Sequence, residues 1–318
     1  MHPEDKRWNQ GCGKRASRID PAGVESVLDE IQADSMTDLR EKILETDALP
    51  TISGVARQLL LLPLETERGE RELLNLIESD PFIAARVIGM ANSPLFMPNR
   101  KVCTVHDAAL VLGLSRVKSI AVAIALMDPI RVSESRIFSL RDLWLHSFSM
   151  ATGMRTLSNM LPPDLRPAED LIFLSGLLHD LGYLALAYLA PERFDAFIGH
   201  IESRADASPI EAETIEFGIT HAEIGAMLGR SWNLPEEVVS VIEKHHEKNA
   251  DAGNIPLILA RLVESMTGEG AIGMPPSPAV PLEELESLGL GMENMEEARE
   301  TLEMQREQIA LLADMLTG

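Results

Sequence analysis

Cysteine and aromatic residues are scarce in this sequence of 318 residues. The two cysteines, Cys12 and Cys103, can form neither a disulfide framework nor a four-cysteine zinc site, which favours an intracellular protein. Aromatic residues make up only 4% while methionine alone contributes 15 residues, a balance that favours packed helices over sheet. No sustained run of alternating apolar and polar residues indicates a strand. The sequence therefore predicts an all-α fold, a compact bundle of many helices.

Positive charge is also in short supply, and long apolar runs are rare. Lysine and arginine number 28 against 50 aspartates and glutamates, for a formal net charge of −22. Such an acidic chain repels phosphate and anionic lipid, so neither nucleic acid nor a membrane is expected as a direct partner. The longest apolar stretch, residues 171–190, contains His179 and Asp180, which is atypical of a bilayer span. We therefore expect a soluble, cytoplasmic protein.

Breaks in helical periodicity divide the chain into parts. The expected parts are a flexible leader at 1–20, a helical extension at 21–48, a helical domain at 49–267, a Gly/Pro-rich linker at 268–281 and a C-terminal amphipathic helix at 282–318. Within the helical domain, the first half ends near residue 130 and the second half begins near residue 139. Both halves are expected to contribute short helices to one fold.

The C-terminal helix carries a stripe of apolar residues at heptad spacing. Met295, Leu302, Ile309 and Leu316 are seven residues apart, while the opposite face is rich in glutamate. This pattern suits either packing on the body of the protein or a dimeric coiled coil. Because two parallel copies would bring like charges together, we expect the helix to dock on its own chain, near the predicted helix at 255–267.

Five of the eight histidines lie in settings typical of metal ligands. The candidate ligands are His146, His179, Asp180, His221, His245 and His246, with Asp142, one turn before His146, as an additional candidate. Imidazole and carboxylate are the usual ligands of Fe, Mn, Ni and Zn, and one aspartate can bridge two ions. Each histidine also has a purely structural interpretation, as a core residue or as a cation near a helix C-terminus. A carboxylate in the Leu-rich surroundings of Asp180, however, requires a partner or a metal.

Longer motifs support a family assignment. The segments LPTISGVARQLL, LLNLIESDPFIAARVIGMANSPLF and VHDAALVLGLSRVKSIAVA, followed by LLHDLG, resemble the HDOD family, the HD-related output domain of the HD superfamily. The resemblance covers about residues 49–246. It implies a compact all-helical domain of bacterial signalling and regulatory proteins, and most members of the family have no demonstrated catalytic activity.

The related HD-GYP phosphodiesterases provide the comparison for the metal ligands. The candidates from Asp142 to His246 match that family's ligand pattern, but its final aspartate aligns with Arg261 in IPLILARLVESM. Arginine has no lone pair to offer, and Glu264, one turn further on, is the nearest carboxylate that can compensate. The Gly-Tyr-Pro signature is also absent after His246.

The favoured hypothesis is a non-enzymatic HDOD signal-transduction module that acts through contacts with a signalling protein partner. A divalent metal (Fe, Mn, Ni or Zn) would occupy a degenerate HD site. The alternative is a metal-dependent HD-type phosphohydrolase acting on a nucleotide, in which Asp180 would be catalytic and Arg261 or Lys244 would contact phosphate. Because the Gly-Tyr-Pro loop is missing and Arg261 stands where a ligand carboxylate is expected, we expect no useful hydrolysis of cyclic di-GMP.

Overall fold

The computed structural model describes residues 50–127, 130, 138–201, 209–247, 253–267 and 282–317. Over these residues the chain forms helices and turns without any strand, which confirms the all-α prediction. The leader predicted at 1–20, the helical extension at 21–48 and the linker at 268–281 lie outside the described residues.

Short helices form the first half. They are α1 (Gly54–Leu61), α2 (Glu67–Ser79), α3 (Pro81–Ala91), α4 (Val105–Leu112) and α5 (Leu114–Met127). Side-chain caps start several of them: Ser53 accepts a hydrogen bond from the Ala56 N–H group, and Asp80 accepts one from the Phe82 N–H group. Pro81 then takes the first position of α3, where a missing N–H group is tolerated. Local sequence signals therefore account for these boundaries.

The second half contains α6 (Leu140–Met160), α7 (Glu169–Leu178), α8 (Leu181–Leu189), α9 (Pro191–Ile201), α10 (Pro209–Phe217), α11 (His221–Ser231), α12 (Glu236–Lys244) and α13 (Ile255–Thr267). Helix α7 packs between α5 and α6, and α11 packs between α8 and α12. Helix α5 is buried over residues 117 and 119–127, which places it at the centre as its apolar sequence predicts.

The sequence predicts one continuous helix over 168–187, but the structure breaks it in two. Helix α7 ends at Leu178 and α8 begins at Leu181, and the backbone of Asp180 lies outside the helical region at φ −99° and ψ 19°. The break turns the side chains of His179 and Asp180 into the interior, where both are buried.

Two helices, rather than a single one, follow residue 281: α14 (Leu282–Ser287) and α15 (Met292–Thr317). Helix α15 lies along α6 and buries Leu302, Ile309 and Leu316. As expected, α15 docks on its own chain and contacts α13, but its main partner is α6 rather than the helix at 255–267. Arg141 of α6 bonds Asp314 near the end of α15, which indicates an antiparallel pair.

Candidate metal centre

Histidines and carboxylates from five helices meet in the interior of the second half. His146 projects from the middle of α6, His179 and Asp180 lie at the break between α7 and α8, and His221 begins α11. The remaining members are His245 and His246, which directly follow α12, and Glu264 on α13. All are buried except His246, which is half-buried.

Four side chains form what we call the first half-site: His146, His179, Glu264 and one oxygen of Asp180. The Nε2 atoms of His146 and His179 are 3.0 Å apart. Glu264 Oε2 lies 3.4 Å from His146 Nε2 and 3.8 Å from His179 Nε2. Asp180 Oδ2 lies 3.2 Å from His179 Nε2 and 3.6 Å from His146 Nε2. These donor atoms surround one small volume.

The second half-site consists of His221, His245, His246 and the other oxygen of Asp180. The Nε2 atoms of His221 and His246 are 3.2 Å apart, and those of His221 and His245 are 3.4 Å apart. Asp180 Oδ1 lies 3.5 Å from His221 Nε2 and 3.4 Å from His245 Nε2. Asp180 therefore presents one oxygen to each half-site, the arrangement of a carboxylate that bridges two ions.

Backbone carbonyl groups fix the orientation of two of these rings. His179 Nδ1 is 2.9 Å from the Gly176 carbonyl oxygen, and His245 Nδ1 is 3.0 Å from that of Val241. A carbonyl oxygen only accepts, so each Nδ1 carries the proton and donates it. In the neutral ring, Nε2 then directs a lone pair at the half-site, as metal-binding histidines do.

Glycines allow the helices that carry these ligands to approach closely. A Cβ atom on Gly176 would lie 2.5 Å from the backbone nitrogen of Ala151, where α7 crosses α6. A Cβ atom on Gly182 would lie 1.8 Å from the carbonyl oxygen of His221, where α8 meets α11. Only glycine fits at such contacts, which bring Asp180 into reach of ligands on separate helices.

The electrostatic environment keeps both carboxylates ionised. Burial by itself raises the pKa of the Asp180 carboxyl, but His179, His245 and His146 outweigh it and hold that pKa well below the usual value. Burial likewise opposes ionisation of Glu264, yet His146 and His179 keep its pKa lowered. Ionised carboxylates are the form that ligates a metal.

Two histidines, one in each half-site, also have shifted pKa values. Burial lowers the pKa of His146, but Glu264 and Asp180 reverse that effect and the net shift is upward. Burial together with His245 and His221 lowers the pKa of His246 well below its usual value. His246 is therefore neutral at physiological pH, with its imidazole available as a ligand.

The residues present fit a divalent metal. Glu264 Oε2 is buried and accepts no hydrogen bond from any residue that the structure describes. An unsatisfied carboxylate oxygen inside a protein is costly, and a cation directly opposite it removes that cost. Imidazole nitrogen and carboxylate oxygen together suit Fe, Mn, Ni or Zn.

Two of the residues considered from the sequence lie away from the half-sites. Asp142 is exposed near the start of α6, where its carboxylate lies 3.5 Å from Arg141. Arg261 is buried, but its guanidinium points to α14 and pairs with Glu284 at 3.2 Å. Arg261 therefore belongs to neither half-site, and Glu264, the carboxylate that the sequence offered in compensation, groups with His146 and His179.

Sequence reasoning missed two buried neighbours of His221. Glu213 on α10 lies 2.8 Å from His221 Nδ1, and the Tyr183 ring stacks on the imidazole with centroids 4.0 Å apart. No local pattern singles out Glu213, which is one of several glutamates in PIEAETIEF. Lys244, which the alternative hypothesis assigns to phosphate contact, is half-buried in the last turn of α12, next to His245.

Comparisons with known proteins agree with this architecture. The family model for the HDOD domain matches residues 49–248. A protein of uncharacterized function from Treponema pallidum (strain Nichols) is 26% identical over 211 residues. That match covers 66% of this chain and 40% of the relative, so this chain spans less than half of that protein's length.

Solved structures share the fold. A protein from Marinobacter aquaeolei VT8, provisionally named for signal transduction, matches with a TM-score of 0.77 and 24% identity, covering 95% of this chain and 68% of its own. An HDOD domain protein of unknown function from Geobacter sulfurreducens has a TM-score of 0.70 at 22% identity, covering 89% and 98%. A provisionally named metal-dependent phosphohydrolase from Shewanella amazonensis SB2B has a TM-score of 0.57 at 22% identity, covering 86% and 99%.

Proposed function

The chain belongs to the HDOD family, and on that premise we propose that it is a signal-transduction output module built around a resident divalent-metal centre. One observation carries the proposal: buried imidazole and carboxylate donors converge in two adjacent groups that share Asp180. A bound metal supplies the positive charge that neutralises the buried carboxylates. The ligands then connect α6, α7, α11, α12 and α13 into one rigid unit that presents a surface to a protein partner.

The burial of the centre favours a structural or regulatory role over catalysis. A hydrolytic metal keeps an open coordination position that water and substrate can reach, whereas structural sites are closed. His179, His221 and His245 are fully buried, and Asp180 is 4% exposed. Closure of the site therefore opposes catalysis, even though Glu264 provides the carboxylate that Arg261 cannot.

A metal-dependent phosphohydrolase is the second candidate. The observation that favours it is the bridging position of Asp180, since two ions joined by a carboxylate are typical of enzymes that hydrolyse phosphate esters. His246 is the most accessible donor and marks the side from which a nucleotide would approach. In this function, the chain would need to open at His246 before a phosphate could reach either half-site.

We further propose a cytoplasmic location and a signalling protein as the partner. The net charge of −22 opposes binding to nucleic acid or anionic lipid. The stretch Glu169–Leu189 is long and apolar enough to cross a bilayer, but 89% of its apolar 18-residue segment is buried inside the fold, as in the core helix of a globular domain.

Metal analysis and an activity assay on the same purified full chain test the proposal. We expect two ions of Fe, Mn, Ni or Zn per chain, a melting temperature that falls on chelation, and no turnover of cyclic di-GMP or bis(p-nitrophenyl) phosphate. Protein that stays metal-free after purification with added Mn or Zn, and that chelator does not destabilise, would contradict the proposal. Turnover that disappears in Asp180→Ala would instead establish the phosphohydrolase.

A further inference from the structure

Glu213 is a fully buried carboxylate that makes three contacts with one metal-ligand candidate. Its Oε2 accepts a hydrogen bond from the His221 backbone N–H group at 2.7 Å. Both of its oxygens lie 2.8 Å from His221 Nδ1. Glu213 therefore holds the backbone and the side chain of His221 at the first residue of α11.

Tyr183 restricts the same imidazole from its face. The Tyr183 and His221 rings are stacked, 4.0 Å between centroids and 20° between planes. With Glu213 at Nδ1 and Tyr183 on one face, the ring has a single orientation, in which Nε2 lies 3.5 Å from Asp180 Oδ1. The position of His221 Nε2 in the second half-site is thus set by residues that do not themselves belong to it.

The acceptor at His221 differs in charge from those at the neighbouring rings. His179 and His245 donate their Nδ1 protons to neutral backbone carbonyl groups, whereas His221 donates to a carboxylate. A carboxylate acceptor makes the opposite nitrogen more basic and so a stronger ligand. The first half-site has its own carboxylate in Glu264, but the second has three histidines and only a share of Asp180.

We propose that Glu213 is a positioning residue that sets the metal affinity of the second half-site without touching the ion. The inference rests on the proposed function, because it requires that the half-sites bind metal. Glu213 supplies the negative charge that the three histidines lack, and it fixes His221 as the Nδ1–H tautomer. Its removal weakens the second half-site and leaves the first unchanged.

Titration of the metal-free full chain with Co²⁺, followed by visible absorption, tests this role. The binding phase that disappears in His246→Ala identifies the second half-site. In Glu213→Gln, which keeps an acceptor oxygen but loses the charge, we expect that phase to weaken several-fold. In Glu213→Leu we expect about a 10–100-fold loss, the usual effect of removing such a partner. The Co²⁺ spectrum of that phase should also change, because His221 can reorient.

Glu223→Gln is the matched control. Glu223 lies in the first turn of α11, as His221 does, and accepts a hydrogen bond from the Thr220 N–H group at 2.9 Å. The variant therefore removes a carboxylate charge from the same helix start. It should leave both binding phases intact. Glu213 variants that lower thermal stability but leave the second phase and its spectrum unchanged would overturn the inference alone. Wild-type protein that binds no Co²⁺ would overturn the proposed function and this inference with it.

Discussion

At the scale of single residues, Asp180 is the side chain that connects the two half-sites. Each of its oxygens lies within 3.6 Å of two imidazole nitrogens, and the two oxygens serve different half-sites. The carboxylate is almost completely buried. Its two oxygens therefore face ligand candidates on both sides, and no substitute side chain of the same size offers two anionic oxygens.

Asp180→Asn is expected to reduce the metal content to at most one ion per chain. The amide nitrogen of asparagine cannot ligate, so one half-site loses its share of the bridge. At a free metal concentration of 100 times the dissociation constant, each lost ion removes about 2.7 kcal/mol of stabilisation. Elemental analysis and thermal melts measure both effects.

Asp142→Asn makes the same chemical change at an exposed carboxylate outside the centre. It should retain two ions and melt within a degree or two of the wild type, since exposed substitutions usually change stability by less than about 0.5 kcal/mol. An Asp180→Asn protein with full metal content would contradict the bridging role.

At the scale of helices, close approaches decide which ligands meet. Helices α8 and α11 touch at Gly182, and α6 touches α13 and α15 at Gly153, where a Cβ atom would lie 2.6 Å from Val263 Cγ1. Val263 is next to Glu264, so this contact also sets the position of α13 against His146. The half-sites therefore depend on helix spacing as well as on the ligands.

Gly182→Ala is expected to destabilise the fold by more than about 1–3 kcal/mol, because the new methyl group meets the backbone of His221 rather than a flexible side chain. It should also weaken metal binding by shifting α11. Gly54→Ala is the control, since nothing lies within 4 Å of a Cβ atom there. Urea unfolding and metal analysis of both variants test this, and equal stability of the two would contradict it.

An ion pair between buried Arg261 and half-buried Glu284 links α13 to α14. Arg261 is 3% exposed and lies three residues before the ligand candidate Glu264. By sequence comparison, Arg261→Asp would restore the aspartate of the HD-GYP ligand pattern. In the structure, however, the new carboxylate would lie against the carboxylate of Glu284. Because Glu284 is partly exposed to solvent, we expect a loss in urea unfolding below the ~3–5 kcal/mol of a fully buried pair, and no gain in activity.

The exposed pair of Arg299 and Glu296 on α15 provides the comparison for that variant. Arg299→Asp makes the same substitution on the surface, where an ion pair contributes about 0–1 kcal/mol. A larger loss of stability in Arg299→Asp than in Arg261→Asp would show that the pair of Arg261 and Glu284 does not hold α14 in place.

At the scale of the whole molecule, the C-terminal helix covers the helix that carries His146. Helix α15 runs antiparallel to α6, with Asn294 beside Met160 at one end and Asp314 bonded to Arg141 at the other. Leu302 also reaches the junction of α6 and α13 at Gly153. The C-terminal helix therefore belongs to the same packed body as the candidate metal centre.

Deletion of residues 293–318 is expected to lower the melting temperature and to leave the oligomeric state unchanged. The buried side chains of Leu302, Ile309 and Leu316 each contribute about 1.5–3 kcal/mol through burial. Light scattering and thermal melts check both parts. Met304→Ala, at a position that is 73% exposed on the same helix, should have little effect. A dimer that becomes a monomer on deletion, without a change in melting temperature, would contradict intramolecular docking.

The amino-acid sequence by itself determined the fold class, the family and most of the ligand candidates. Helix caps such as Asp80–Pro81 and the apolar run of α5 are local signals, and a helix responds to them wherever it lies. His179 and Asp180 were identifiable because a charged residue inside an apolar run needs a partner.

Tertiary structure alone decided which carboxylates belong to the centre. Arg261 and Glu264 are about 60° apart around α13, so only the rotation of that helix settles which one faces His146. Asp142 and His146 are one turn apart on α6, yet the first is exposed and the second is buried. Glu213 contacts His221 from a different helix, α10. Helix α15 packs mainly against α6. Such contacts depend on the angles and positions at which helices cross. The sequence of one helix does not specify which other helix will pack against it.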